Sequence, residues 1–338
     1  MITTSAPGKV ILFGEHAVVY DKLGIACSIG KRCQVKVFSV NENKVFITAK
    51  DLNLSESLGE KELFNLFKII NTLKDQNKFD ELGKILEKDE LVPSFFVITN
   101  IMKDCGFKGL GLEIKSEIPK NSGSSSAIFS AIALAVSKFL GKNLSKKEIS
   151  DLSYQGDLVA HGGTPSGIDN ATVTFGGYIE YKKSKGVKPL VIDFKIPLLF
   201  VDSDEEVKTG EIVSYVRRKR EENPEFVNSV LDSLDNISQK ALRVLNSQNF
   251  ERLGKLMIEY YKELKKLNIS TQKLDRIIEI ALENEALGAK PTGAWGGGCC
   301  LVLAKDERTT SNLMAAFKDK GFKSFQSEIG VEGVKLIS

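Results

Sequence analysis

Residues 118–127 read Ile-Pro-Lys-Asn-Ser-Gly-Ser-Ser-Ser-Ala, and they lie between a strand and a buried helix. Upstream, Leu110-Gly111-Leu112-Glu113-Ile114-Lys115 alternates with period two, as a half-buried strand does. Downstream, Ala127–Leu140 is apolar on several sides, which fits a helix enclosed by a core. Pro119 stops the strand. Gly and Ser then allow backbone N–H groups to turn toward one point, where the helix N-terminus adds its partial positive charge. That is a phosphate-binding arrangement, and its hydroxyls suit phosphate or metal. A flexible Ser-rich linker is the competing reading, but such a linker rarely runs straight into an apolar helix. No Gly-Lys-Ser/Thr follows, so the loop is not a Walker A motif.

Strands and helices mix along the whole chain, whose 338 residues suggest roughly two domains. Cys33–Val37 alternates as a strand, and Ser145-Lys146-Lys147-Glu148 is a capping box for a helix running to about Ala160. The charged stretch from Lys50 to Asp89 reads as a surface excursion of helices. After about residue 185 two strand-like runs, near Val191 and Leu199, precede a helix-rich region. Val227, Val230, Leu234, Ile237 and Ala241 form one apolar stripe, and Leu253, Met257, Tyr260, Leu264 and Leu267 another. A third helix begins near Thr271, and the chain ends strand, helix, strand from Cys300. An α+β fold is expected, divided into residues 1–185 and 186–338.

Composition removes several functions. A net charge of +3 argues against a dedicated nucleic-acid binder. The longest mainly apolar run, Ala127 to Val136, is well short of the ~20 residues of a membrane span. With no signal region in the first ten residues, a cytoplasmic protein is expected. Five cysteines without a CxxC pair suit neither a disulfide framework nor a zinc ribbon, and are expected as core hydrophobes. With only His16 and His161, a multi-histidine metal centre is excluded. Chemistry falls to carboxylates, lysines, hydroxyls and backbone. Arg217-Arg218-Lys219-Arg220, followed by two glutamates, reads as a solvated helical face, with phosphate attraction at a cleft rim as the alternative.

Three further segments can supply that chemistry. In residues 5–20, Lys9 stands at the mouth of a strand before a Gly14-Glu15-His16 turn. In residues 161–170, Asp169 occupies a Gly/Pro-rich turn just before a strand-like run, and Asp157 lies one helical turn before His161. In residues 290–299, Gly296-Gly297-Gly298 lets backbone approach a ligand without Cβ obstruction. A hydroxyl-phosphorylating enzyme needs a phosphate cradle, Mg²⁺ ligands, a carboxylate for the acceptor and a cation for the transferred charge. All four are present, dispersed over the chain.

Pro-Gly-Lys-Val-Ile-Leu-Phe-Gly-Glu-His-Ala-Val-Val-Tyr, Ser-Gly-Ser-Ser-Ser-Ala, Pro-Ser-Gly-Ile-Asp-Asn and Thr-Gly-Ala-Trp-Gly-Gly-Gly-Cys, in this order, resemble the GHMP kinase superfamily. Within it the chain is most similar to the mevalonate kinases. The resemblance implies an N-terminal domain like ribosomal protein S5 domain 2 and a ferredoxin-like C-terminal domain, with ATP and substrate in the cleft. It implies Mg²⁺-assisted transfer from ATP to the 5-hydroxyl of mevalonate, and a homodimer. By motif, Asp169 matches the catalytic base and Lys9 the lysine paired with it. Ser122, Gly123, Ser124, Ser125 and Ser126 match the phosphate loop. Ser126 and Asp157 match the Mg²⁺ ligands, Asp157 standing where the family has glutamate. Glu15, His16, Asp169, Thr209 and Ala294 match substrate contacts.

The phosphate loop lacks a leucine and is about one residue short of the family pattern. An extra residue separates His161 from Asp169, and Trp295 replaces a glycine. Either the loop around Trp295 differs locally, or the indole packs over substrate or nucleotide. Another kinase of the superfamily, such as a phosphomevalonate or sugar kinase, remains the nearest alternative. A ligand sensor without catalysis is the alternative from another class. A phosphorylated acceptor would want cations near the third motif, where only Lys290 stands.

Overall fold

The computed structural model describes residues 1–86, 89–119, 121–161, 165–206 and 209–338. Its framework is an antiparallel pair, β1 (Ile2–Phe13) and β2 (Gly24–Ser39), matched along nearly their whole length. β3 (Lys44–Ala49) and β4 (Leu54–Gly59) form a hairpin, followed by α1 (Glu60–Asp75), α2 (Phe79–Leu86) and α3 (Val92–Met102). Next come β5 (Leu110–Ser116), α4 (Ser124–Phe139), α5 (Lys146–Ala160), α6 (Ile168–Phe175), β6 (Tyr178–Lys182) and β7 (Gly186–Leu190).

β8 (Leu198–Asp202) opens a second sheet. Four helices follow it: α7 (Thr209–Glu222), α8 (Pro224–Leu245), α9 (Phe250–Lys265) and α10 (Gln272–Glu283). The chain closes with β9 (Gly288–Pro291), β10 (Cys299–Leu303), α11 (Glu307–Asp319), β11 (Lys323–Gln326) and β12 (Lys335–Leu336).

The first sheet runs β12-β1-β2-β5-β3-β4, and the second, wholly antiparallel, runs β11-β8-β10-β9. β2 is long enough to serve two partners. Its residues 33–39 pair with β5, while residues 24–27 pair with β6, which carries β7 on its other edge. β12 returns the C-terminus to β1, opposite Thr4 and Ser5. Among the described residues no helix is long and apolar enough to cross a membrane.

The same two strands feed both cores. Ala6, Cys33, Val35 and Val37 pack with α3 and α4, whereas Val10, Leu12, Phe13, Ile25 and Cys27 join the second sheet and helices α8 to α10. The two apolar stripes expected on α8 and α9 are buried throughout. Their helices begin where the caps Asn223 and Asn249 accept backbone N–H groups, and Thr271 does the same for α10. The capping box of α5 is formed as expected.

Several local expectations need correction. The stretch 50–89 is not only helical, because Leu54–Gly59 pairs with β3 as an edge strand. Alternation over six residues gives a weak signal when one face is exposed, and charge masked it. Val191 lies just past β7 and is 91% exposed, so the strand expected around it ends before it. Cys27, Cys33, Cys299 and Cys300 are buried free thiols, but Cys105 is exposed. The basic cluster is only partly a solvated face: Lys219 donates to the Leu267 carbonyl, and Arg220 to Asn228 while stacking on Tyr20.

Trp295 takes φ +65° and is fully buried. Its ring stacks on Tyr261 at 5.9 Å in the second core, so both expectations need correction: the backbone keeps the positive φ, and the indole packs into protein. The left-handed backbone costs a non-glycine residue roughly 1–2 kcal/mol. Truncating a buried tryptophan costs about 3–5 kcal/mol, so packing outweighs strain. The Nε1–H is buried without a hydrogen-bond partner, which offsets part of the gain. Trp295→Gly is therefore expected to destabilise the fold by about 1–3 kcal/mol net of the relieved strain, read as a lower denaturant midpoint. A midpoint raised by the substitution would show that strain dominates.

Candidate active site

Lys9 is almost wholly buried on β1, 3% exposed, and its Nζ lies 2.8 Å from Asp169 Oδ1 at the open side of the cleft. Asp169 is the second residue of α6, so the strand expected after it is a helix. Gly167, at φ +88°, caps that helix, and a carboxylate in its first turn complements the helix dipole. The β-branched residues that mimic a strand, Thr172, Val173 and Thr174, are buried on the helix instead. The true strand starts after Gly176 and Gly177.

The Gly/Ser segment is bound to the same strand. Lys9 N–H donates to the Ser122 carbonyl at 2.8 Å. A Cβ on Gly123 would fall 2.7 Å from Lys9 Cγ, and its φ of +77° also favours glycine. Only glycine lets the loop lie against the lysine stem. α4 begins at Ser124, so Ser124, Ser125 and Ser126 form the helix's first turn, where N–H groups lack intrahelical partners. Ser122 Oγ is buried without a hydrogen-bond partner.

Asp157, 2% exposed, collects the hydroxyls of that turn. Ser125 Oγ donates to Oδ1 at 2.9 Å and Ser126 Oγ donates to Oδ2. Asn170 Nδ2 donates to Oδ2 at 2.5 Å and to Ser153 Oγ at 3.1 Å. His161 Nε2 lies 3.6 Å from Oδ1 and 3.3 Å from Ser125 Oγ. Burial pulls the His161 pKa down, but the hydrogen bond and charge of Asp157, then the charge of Asp169, raise it overall. Ser126 and Asp157 together are hard oxygen donors of the kind Mg²⁺ accepts beside substrate phosphates.

The Gly14-Glu15-His16 turn is enclosed. His16 takes φ +60° and its Nε2 lies 2.8 Å from the Ala294 carbonyl, joining two of the expected substrate contacts to each other. Burial pushes the His16 pKa down to about 4, so its ring is neutral at pH 7. Glu15 forms an ion pair with Lys290 in which neither side chain is exposed. Burial raises the Glu15 pKa and lowers that of Lys290, while each charge pulls its partner back. Glu15 also feels the charge of Lys9, so the turn and the Lys9–Asp169 pair share one electrostatic environment.

The third motif meets the second at Asn121. A Cβ on Gly298 would lie 2.9 Å from Asn121 Nδ2, and Thr292 Oγ1 donates to the Ile11 carbonyl at 2.9 Å. At Gly298 the glycine run thus admits the Asn121 side chain rather than leaving open space. Thr209 starts α7, whose next residue, Gly210, would place a Cβ 2.9 Å from the His161 carbonyl. Lys120, Gly162 to Thr164 and Lys208, which belong to these motifs, lie outside the described residues.

Lys9 touches Asp169 and the Ser122 carbonyl, Asp157 collects Ser125 and Ser126, and His16 meets Ala294, whereas Thr209 is tied to them only through the approach of Gly210 to the His161 carbonyl. Asn170, Tyr260 and the Glu15–Lys290 pairing were missed. Asn170 stood in the quoted motif, and Lys290 was the only charge in its segment, so both had a signal. Tyr260 was hidden in an apolar stripe, although its hydroxyl donates to the Glu15 carbonyl at 3.0 Å.

Two family models match, GHMP kinases N terminal domain at residues 93–177 and GHMP kinases C terminal at residues 239–323. The mevalonate kinase of Thermococcus gammatolerans is 35% identical, covering 99% of this chain and 98% of its own. That of Pyrococcus furiosus is 34% identical with the same coverage. The crystal structure of the Methanococcus jannaschii mevalonate kinase superposes with a TM-score of 0.79 at 28% identity, covering 100% of this chain and 98% of that one. Matched end to end at this level, and with both kinase domains present, the chain belongs to the mevalonate kinase family of GHMP kinases.

Proposed function

We propose that the chain transfers the γ-phosphoryl group of ATP to the 5-hydroxyl of mevalonate, giving 5-phosphomevalonate. The observation that carries the chemistry is the 2.8 Å contact between Lys9 and Asp169 at the mouth of the serine-lined helix N-terminus. The acceptor is taken from the full-length relatives named mevalonate kinase.

In this reading the Ser122–Ser126 loop binds the ATP phosphates through the backbone N–H groups at the start of α4, while the Ser122 N–H stays on the Pro119 carbonyl at 3.2 Å. Ser126 and Asp157 hold Mg²⁺, which neutralises phosphate charge when bound. Asn170 keeps the Asp157 carboxylate oriented. Asp169 accepts or orients the hydroxyl proton, and Lys9 offsets negative charge on the transferred group. Glu15, His16, Thr209 and the Ala294 backbone form the acceptor side of the cleft. Residues 1–185 supply the phosphate loop together with Glu15 and His16, and residues 186–338 add Thr209 and Ala294 on the acceptor side. The Lys290 charge is committed to Glu15, which disfavours a phosphorylated acceptor that would need it.

An ADP-release assay across mevalonate, phosphomevalonate, homoserine and galactose tests the acceptor. Mevalonate is expected to turn over fastest, and a faster rival would overturn the assignment. Asp169→Asn is expected to keep binding of both substrates while kcat falls by ~10²–10⁴. Near-wild-type turnover in that variant would remove Asp169 from the chemistry. Asp157→Asn is expected to raise the Mg²⁺ concentration needed for half-maximal rate by about tenfold or more, with acceptor KM changed little. An unchanged Mg²⁺ titration would place the metal elsewhere.

A further inference from the structure

The proposed chemistry leaves the Lys290 ammonium without a task. It sits on β9, while its partner Glu15 follows β1, so the pair joins the second sheet to the first. Lys290 Nζ contacts Glu15 Oε1, donates to the Pro291 carbonyl at 2.9 Å and to that of Ile11 at 3.4 Å, and lies 5.5 Å over the Tyr260 ring. Tyr260 pins the same turn, accepting from Gly14 N–H at 3.1 Å.

Stability does not account for the pair. Desolvating two ions costs several kcal/mol each, and apolar residues of similar volume often serve as well or better. A second observation points to a ligand. Glu15 Oε2 is buried and makes no hydrogen bond, whereas Oε1 is taken by Lys290. A buried carboxylate oxygen left without a donor is costly, and an incoming hydroxyl would relieve it.

We propose that Lys290 is a positioning residue for the acceptor: it keeps Glu15 ionised and turned so that Oε2 can accept a hydrogen bond from an acceptor hydroxyl. The inference rests on the reading of Glu15 as an acceptor contact. Lys290 acts through Glu15 and does not touch the reacting groups.

The groups facing Glu15 make the pH consequence definite. They are Lys290 from β9, Lys9 from β1, Tyr260 from α9 and His16 from its own turn. Burial, followed by the Glu15 charge, raises the Tyr260 pKa and keeps its phenol neutral, and His16 is neutral above about pH 4. Lys290 and Lys9 are therefore the charges that pull the Glu15 pKa back down against burial, Lys290 more than Lys9. Without Lys290 the Glu15 pKa rises further, and acceptor binding is lost as pH falls through that higher value.

Steady-state kinetics on mevalonate and ATP, from about pH 5 to about pH 9, separate the outcomes for wild type, Lys290→Met, Glu15→Gln and the double variant. Lys290→Met is expected to raise acceptor KM about tenfold or more, leave ATP KM within about threefold, and move the acid limb of kcat/KM to higher pH. The double variant is expected to bind acceptor no worse than Glu15→Gln alone, because Lys290 works only through Glu15. It also removes both buried charges, so it carries the test if Lys290→Met fails to fold. Lys290→Arg is expected to restore part of the acid limb. Multiplying effects of the two substitutions, or a KM for ATP raised as much as that for acceptor, would overturn the role of Lys290. A wild-type chain that does not turn over mevalonate would instead overturn the acceptor assignment of the preceding section.

Discussion

A lysine ammonium cannot be buried without a counter-charge, and the cleft is organised around that constraint at Lys9. β1 carries the side chain up from the sheet, and the chain must bring a carboxylate to meet it. It does so from Asp169, well over a hundred residues away, by starting α6 at a glycine with positive φ. The Gly/Ser loop must then cross the lysine stem, which Gly123 permits. Burial of one cation thus fixes the relative positions of β1, the start of α4 and the start of α6. A serine-lined helix N-terminus, a cation and a carboxylate arrive together as a result.

Asp157 solves a related problem on the far side of the cradle. A nearly buried carboxylate needs donors, and two serines, Asn170 and the nearby His161 surround it. The family places a glutamate here, and the shorter aspartate still reaches both serine hydroxyls because they stand on the first turn of α4. The carboxylate is therefore oriented by α4 and α6 at once. A carboxylate with this support keeps its direction whichever donor it meets.

Elements whose side chains repeat a strong period were legible in the sequence. The stripes on α8 and α9 and the capping box of α5 carry their own local signal, and the structure agrees with them. β4 was not legible, because a short edge strand rich in polar residues resembles a loop until its partner β3 is known. Asp169 was found as a chemical group but given the wrong local structure. Its β-branched neighbours favour strand, and tertiary packing of α6 overrode them. The Trp295 conformation needed the second core to be seen, since Tyr261 reaches it only through tertiary packing.

The ion pairs also combine into one line of alternating sign. Lys290 meets Glu15, Glu15 feels Lys9, Lys9 meets Asp169, and Asp169 and Asp157 both act on His161. The line starts on the second sheet and ends on α5, so it crosses the cleft in which phosphoryl transfer is proposed. Interactions among its buried members, Lys290, Glu15, Lys9 and Asp157, are stronger than on a surface, while Asp169 and His161 are partly open to solvent. Negative charge entering beside Lys9 is therefore felt by Glu15 on one side and by the Asp157 cluster on the other.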